Sequence, residues 1–181
     1  MTESYAQNPA LQSDATQNQI NLNYDAAEDR ILIRATEGEK EYRAWWTRRL
    51  ALRIHKLFGE HDFPTENNAS HLQPEQQQSL GDMEKHGAVQ QADFSTPFKD
   101  DASHYPLGEE GILVQRIDIK TEGKLVRIIM LPSDGEGMTL ALPPGQRYSF
   151  EHMLQRVMTA AEWIAQTPVD TAGTPQPLLA H

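Results

Sequence analysis

The stretch Arg30-Ile31-Leu32-Ile33-Arg34-Ala35-Thr36-Glu37-Gly38-Glu39-Lys40-Glu41-Tyr42-Arg43-Ala44-Trp45-Trp46-Thr47 decides the fold. Residues 30–36 are rich in β-formers, Glu37-Gly38-Glu39 can turn the chain, and Tyr42 to Trp46 returns as the partner strand of a hairpin. Thr47 then stands at a helix N-cap. Leu50, Ile54, Leu57 and Phe58 recur at helical spacing, and Gly59 sits where a C′ glycine ends a helix. Upstream, Ile20-Asn21-Leu22-Asn23-Tyr24 alternates apolar and polar side chains and reads as a short strand, with residues 25–29 as an acidic turn. Residues 19–60 are therefore predicted as β-β-β-α.

The same order returns in residues 111–165. Ile112 to Ile119 reads as a strand, residues 120–124 as a turn, Leu125 to Leu131 as a second strand, Ser133 to Gly137 as a turn, and Met138 to Leu142 as a third strand. Pro143-Pro144-Gly145 reads as a break. Ser149 is the expected cap of a helix running from Phe150 to about Ala165, with Tyr148 and Met153 as its hydrophobic staple. Phe150, Leu154, Val157, Met158, Ala161 and Ile164 form its core-facing stripe. Three strands and one short helix bury too little to stand alone. The predicted class is accordingly α+β: two β-β-β-α units in pseudo-repeat, their antiparallel strands in one sheet or two packed sheets covered by two helices.

Between the units, residues 61–110 carry ten carboxylates and two lysines, a charge of −8 in a chain of net −10. Pro74 to about Ala92 is a possible extra helix in this acidic linker, and Phe94 and Phe98 are expected to pin the loop after it to the body. Residues 1–18 and 166–181 are polar or proline-containing and aperiodic, and read as disordered tails. A mean hydropathy of −0.62 over 181 residues agrees with a chain that is packed only in part. No run approaches the roughly 20 apolar residues of a membrane helix, the polar first residues do not suggest a secretory signal, and cysteine is absent. A soluble cytoplasmic protein without a membrane role is the expectation.

Catalytic spacing is sparse. The seven histidines form neither HxxxH nor HExxH, and there is no nucleophile elbow, P-loop or dinucleotide fingerprint. No catalytic residue, metal or cofactor is assigned, and an enzyme of unknown class ranks last among the functions considered.

The segment 42–56 is different. It holds Arg43, Arg48, Arg49, Arg53 and Lys56 with no acidic residue, next to Trp45 and Trp46. Arg49, Arg53 and Lys56, at offsets 0, 4 and 7, share one helical face, and Arg48 and Arg49 occupy the first turn. Arginines at a helix N-terminus attract an anion. Adjacent strand residues point to opposite sheet faces, so one tryptophan is expected in the core and Trp45 is the candidate for the surface. The candidate binding set is Arg43, Trp45, Arg48, Arg49, Arg53 and Lys56. Folding of carboxylates of the acidic linker, or of Glu39 and Glu41, over it is the first expectation, and an external phosphate or an acidic partner protein the second. A duplicated β-β-β-α arrangement is similar in outline to single-strand nucleic-acid binders, in topology only. Such proteins present an extensive basic surface, and here nearby carboxylates compete for the same cations. The functional expectation is a small non-catalytic module, an adaptor, regulator or assembly subunit that binds another protein or itself. Single-stranded nucleic acid is the runner-up.

Overall fold

Strand alternation sets the architecture. In the computed structural model, which describes residues 19–67, 71–100 and 102–165, β1 (Gln19–Asp25), β2 (Arg30–Glu37) and β3 (Lys40–Thr47) form an antiparallel meander. Leu22 lies opposite Ile33, Ile33 opposite Ala44, and Ile31 opposite Trp46, so these side chains share one buried face. Helix α1 (Arg48–Glu60) follows at once and buries Ala51 and Ile54. Helix α2 (Pro74–Gln91) belongs to the acidic linker. Strand β4 (Ile112–Leu113) then pairs in parallel with β3 as the fourth strand of this sheet.

The chain next passes to a second sheet. The Val114 amide donates to the Trp45 carbonyl of the first sheet, and the Gln115 amide to the Leu131 carbonyl of the second. Strands β5 (Arg116–Glu122), β6 (Leu125–Leu131) and β7 (Met138–Leu142) form an antiparallel three-stranded sheet, followed by α3 (Pro144–Ala160). The fold is α+β, with two β-β-β-α units in sequence and two sheets. Ile128 and Met130 of β6 and Leu140 and Leu142 of β7 share a common core with Phe150, Leu154 and Met158 of α3, and Val126 of β6 is buried as well. Helix α3 packs on β1 and α1 as well as on β6 and β7, so the helix of the second unit also covers the first. Trp46 ties the sheets together through its indole N–H, which donates to Met130 Sδ at 3.2 Å.

Several expected boundaries are corrected. The strand expected over 112–119 is two strands, because β4 and β5 belong to different sheets and the chain must cross between them. Helix α3 starts at Pro144, not Phe150. Proline is tolerated in a first helical turn, where its missing N–H would be unpartnered anyway, and Pro143 is the N-cap. Ser149 is therefore inside the helix, its hydroxyl donating to the Gly145 carbonyl, and the staple of Tyr148 and Met153 does not apply. Thr47 is the N-cap of α1, without a side-chain cap hydrogen bond, and α1 runs through Gly59 to Glu60. Leu57, expected in the core, is 38% exposed. Helix α2 forms where expected but buries none of its own residues. It rests on α3, helped by Lys85 against Glu151. The expected tails lie outside the described residues.

One glycine fixes how the linker meets β3. Gly111 has φ +75°, and a Cβ there would lie 2.6 Å from the Arg43 Cβ and 2.7 Å from its carbonyl oxygen. Both the left-handed backbone and the close approach exclude a side chain. Gly111→Ala is expected to cost about 1–3 kcal/mol in urea unfolding. A loss under about 0.5 kcal/mol, the range of ordinary surface changes, would show that this approach is slack.

Candidate interaction surface

The hairpin register creates an electrostatic problem on the outer face of the first sheet. Arg34 of β2 lies directly opposite Arg43 of β3, and like charges opposite one another are destabilising. Glu41, on the same face of β3, resolves it. Its carboxylate accepts from Arg34 Nε at 2.7 Å, Arg34 Nη2 at 3.0 Å and Arg43 Nε at 2.6 Å. Glu41 is fully buried. Burial alone would raise its pKa, but the hydrogen bonds and charges of Arg34 and Arg43 outweigh it and hold the carboxyl below its ordinary value.

This network also receives the acidic linker. Asp100 pairs with Arg34 Nη2, and Phe98 lies under the Arg34 guanidinium at 4.1 Å. Tyr105 does the same for Arg43 at 4.7 Å. Arg43 Nη1 donates to the Glu109 carbonyl at 2.6 Å, Trp45 Nε1 to the Glu110 carbonyl at 2.7 Å, and the Glu41 amide to the His104 carbonyl at 2.9 Å. The linker therefore covers β3, and it does so largely through backbone carbonyls and rings. Of the expected pair, Phe98 packs on the sheet, while Phe94 lies 5.4 Å from His152 and stays 38% exposed.

The six candidate residues thus fall into separate groups. Arg43 and Trp45 are engaged inside the molecule. Arg48 is exposed but lies over the Trp163 ring at 6.0 Å, and Trp163 is anchored by its indole N–H to Asp29 at 2.8 Å and by the edge of Tyr24. Arg49, Arg53 and Lys56 are exposed on α1. Lys56 approaches Glu60 at 3.6 Å on its own helix, and neither Arg49 nor Arg53 has an ion-pair partner among the described residues. The linker lies over Arg34 and Arg43 instead of this face. Arg53 also borders a groove of about 350 Å³ between α1 and β5, whose apolar walls are Leu50, Leu57, Ile117 and Ile119.

A cavity of about 820 Å³ lies between the ends of α1 and α3 and helix α2. Three of its charged groups pair: Arg147 donates to Glu151 at 2.6 Å, Lys85 reaches the same carboxylate at 3.5 Å, and the Arg147 guanidinium lies against the rings of Phe63 and Tyr148. This pairing fastens the 61–65 segment to α3.

Comparison of the chain with protein-family models, characterised proteins and solved structures finds no match, so its function is read from its own residues. No helix among the described residues is long and apolar enough to cross a membrane. The sequence points to Glu41 as a carboxylate for the basic segment and to Phe98 as a pin for the loop, but not to Arg34, Asp100 and Tyr105 joining them in one cluster. A signal for part of it exists: a two-residue turn at Gly38-Glu39 sets Arg34 opposite Arg43, and that pair calls for an anion.

Proposed function

We propose that this protein is a small non-catalytic interaction module that binds an acidic segment of another protein through the Arg49, Arg53 and Lys56 face of α1. The observation carrying this reading is the division of charge. The acidic linker contributes Asp100 to Arg34, while Arg49 and Arg53 remain exposed without an anionic partner among the described residues. At physiological ionic strength the Debye length is about 8 Å, so the other linker carboxylates neutralise these arginines only if they approach closely. The alternative, single-stranded nucleic acid, would need an aromatic platform beside the cations. Trp45, the natural choice, is half-buried with its N–H bonded to Glu110. A few phosphate contacts would also give weak, steeply salt-dependent binding.

Fluorescence anisotropy with a labelled Glu-rich peptide and with short single-stranded DNA and RNA separates the two. The peptide is expected to bind at physiological salt and to be lost on Arg49→Glu with Arg53→Glu, while the nucleic acids bind only at low salt. Micromolar or tighter nucleic-acid binding at physiological salt, abolished by the same double change, would reverse the ranking.

A further inference from the structure

Strand β5 is an edge of the second sheet. It pairs with β6 along its whole length, from Arg116 opposite Leu131 to Glu122 opposite Leu125, and no strand among the described residues pairs with its other side. Proteins usually blunt such an edge with charged side chains, proline, a bulge or a covering element, and β5 carries only the first of these, Arg116, Asp118, Lys120 and Glu122. β5 has no proline within Arg116–Glu122, and beside it lies the open α1/β5 groove.

The sequence of this edge is complementary to itself. Centred on Ile119 and laid antiparallel against a second copy, Arg-Ile-Asp-Ile-Lys-Thr-Glu places Arg116 opposite Glu122, Ile117 opposite Thr121, Asp118 opposite Lys120, and Ile119 opposite Ile119. Every charged side chain meets the opposite sign, and each such pair occurs twice by symmetry. The faces also agree. Ile117, Ile119 and Thr121 register with the buried Met130, Ile128 and Val126 of β6, so they belong to the core side of the sheet. Arg116, Asp118, Lys120 and Glu122 belong to the other side. A shift of one residue would break both the charge pattern and the facing.

We propose that the protein forms a two-fold symmetric dimer through antiparallel β5–β5 pairing, joining two three-stranded sheets into one of six strands. The occupant is a second copy because the edge carries both halves of the charge code, as an isologous interface requires. Antiparallel pairing keeps the two core faces on one side, so the α1 helices flank the seam. Ile119 and Thr121 of the second copy then lie beside Ile119 and Ile117 at the groove, next to the exposed Leu57. The strand edge and the Arg49/Arg53/Lys56 face meet at Arg53, which borders the α1/β5 groove, and the β5 charge reversals below separate the two readings because they leave that helix face unchanged.

The absence of cysteine makes the register directly testable. Ile119→Cys places the chain's sole thiol on the two-fold axis, where antiparallel partners have Cα atoms about 4.5–5.5 Å apart, within the roughly 4.4–6.8 Å that a disulfide spans. Thr121→Cys puts the two thiols roughly 13 Å apart along the strands. Mild oxidation should cross-link the first and not the second. In sedimentation experiments over a concentration series the native chain should dimerise. Asp118→Lys and Lys120→Asp, each placing like charges opposite, should weaken the dimer about tenfold or more. An equimolar mixture of these two variants should recover a heterodimer, because its charges are again opposite. A native chain monomeric throughout the series, equal cross-linking of the two cysteine variants, or no response to either charge reversal would overturn the proposal.

Discussion

Trp46→Ala is expected to lower the unfolding free energy by about 3–5 kcal/mol, the cost of removing a fully buried aromatic. Trp46 is fully buried on β3, with the Phe150 ring of α3 edge-on at 6.1 Å and its N–H on Met130 Sδ of β6. One side chain of the first sheet thus contacts both the second sheet and helix α3. Truncation leaves a cavity where these elements meet, and the surrounding aliphatic side chains can collapse into it only in part. Denaturant unfolding of the native chain, Trp46→Ala and Trp46→Phe checks the point. Phenylalanine should retain more of the stability than alanine, since it keeps a ring against Phe150 while losing the bond to sulfur and part of the indole's volume. A loss below about 1 kcal/mol for alanine would mean that the two sheets are coupled elsewhere.

Glu41→Ala should cost about 3 kcal/mol, because it leaves Arg34 and Arg43 facing each other across the strands without their shared anion. The effect should depend on pH with a definite sign. Arg34 and Arg43 hold the folded-state pKa of Glu41 below its ordinary value, despite burial. Its contribution is therefore complete above the unfolded value of about 4.3, and it fades as pH falls through the lower folded pKa. Urea unfolding of the native chain and Glu41→Gln between neutral and acidic pH should show the stability gap closing in acid. A gap that stays constant, or widens, would contradict the assigned charge state. The linker should loosen in the same variants, seen as faster amide exchange around residues 102–111, since Glu41 braces the arginines on which Phe98, Asp100 and Tyr105 sit.

How far the sequence could be read depends on whether the signal is local. The β2–β3 hairpin, the run from Thr47 into α1 and the three-strand meander of residues 116–142 are specified by alternation, glycine turns and helical spacing, so their order was legible. The apparent break at Pro143-Pro144-Gly145 misled because proline within a first helical turn resembles proline that stops a chain. Ile112 to Ile119 reads as one strand because nothing local marks a change of sheet. That change depends on Trp45 and Leu131 offering carbonyls in different sheets.

The basic segment 42–56 shows the same division. Its charge and its helical spacing are properties of the chain alone, and they correctly set Arg49, Arg53 and Lys56 on a solvent-facing side of α1. The fate of Arg43 and Trp45 was decided by residues some 65 positions away, whose carbonyls reach them only once β4 has paired beside β3. Net charge could say that the linker has carboxylates to spare. Only the tertiary structure could say where they go, because ion pairing falls off within a few ångströms and the distances are set by sheet register and by the close passage of Gly111 over β3. Sequence thus determined most of the elements, the division of β4 from β5 excepted, and the faces they offer. The assembled core determined which faces are spent inside the molecule and which remain exposed.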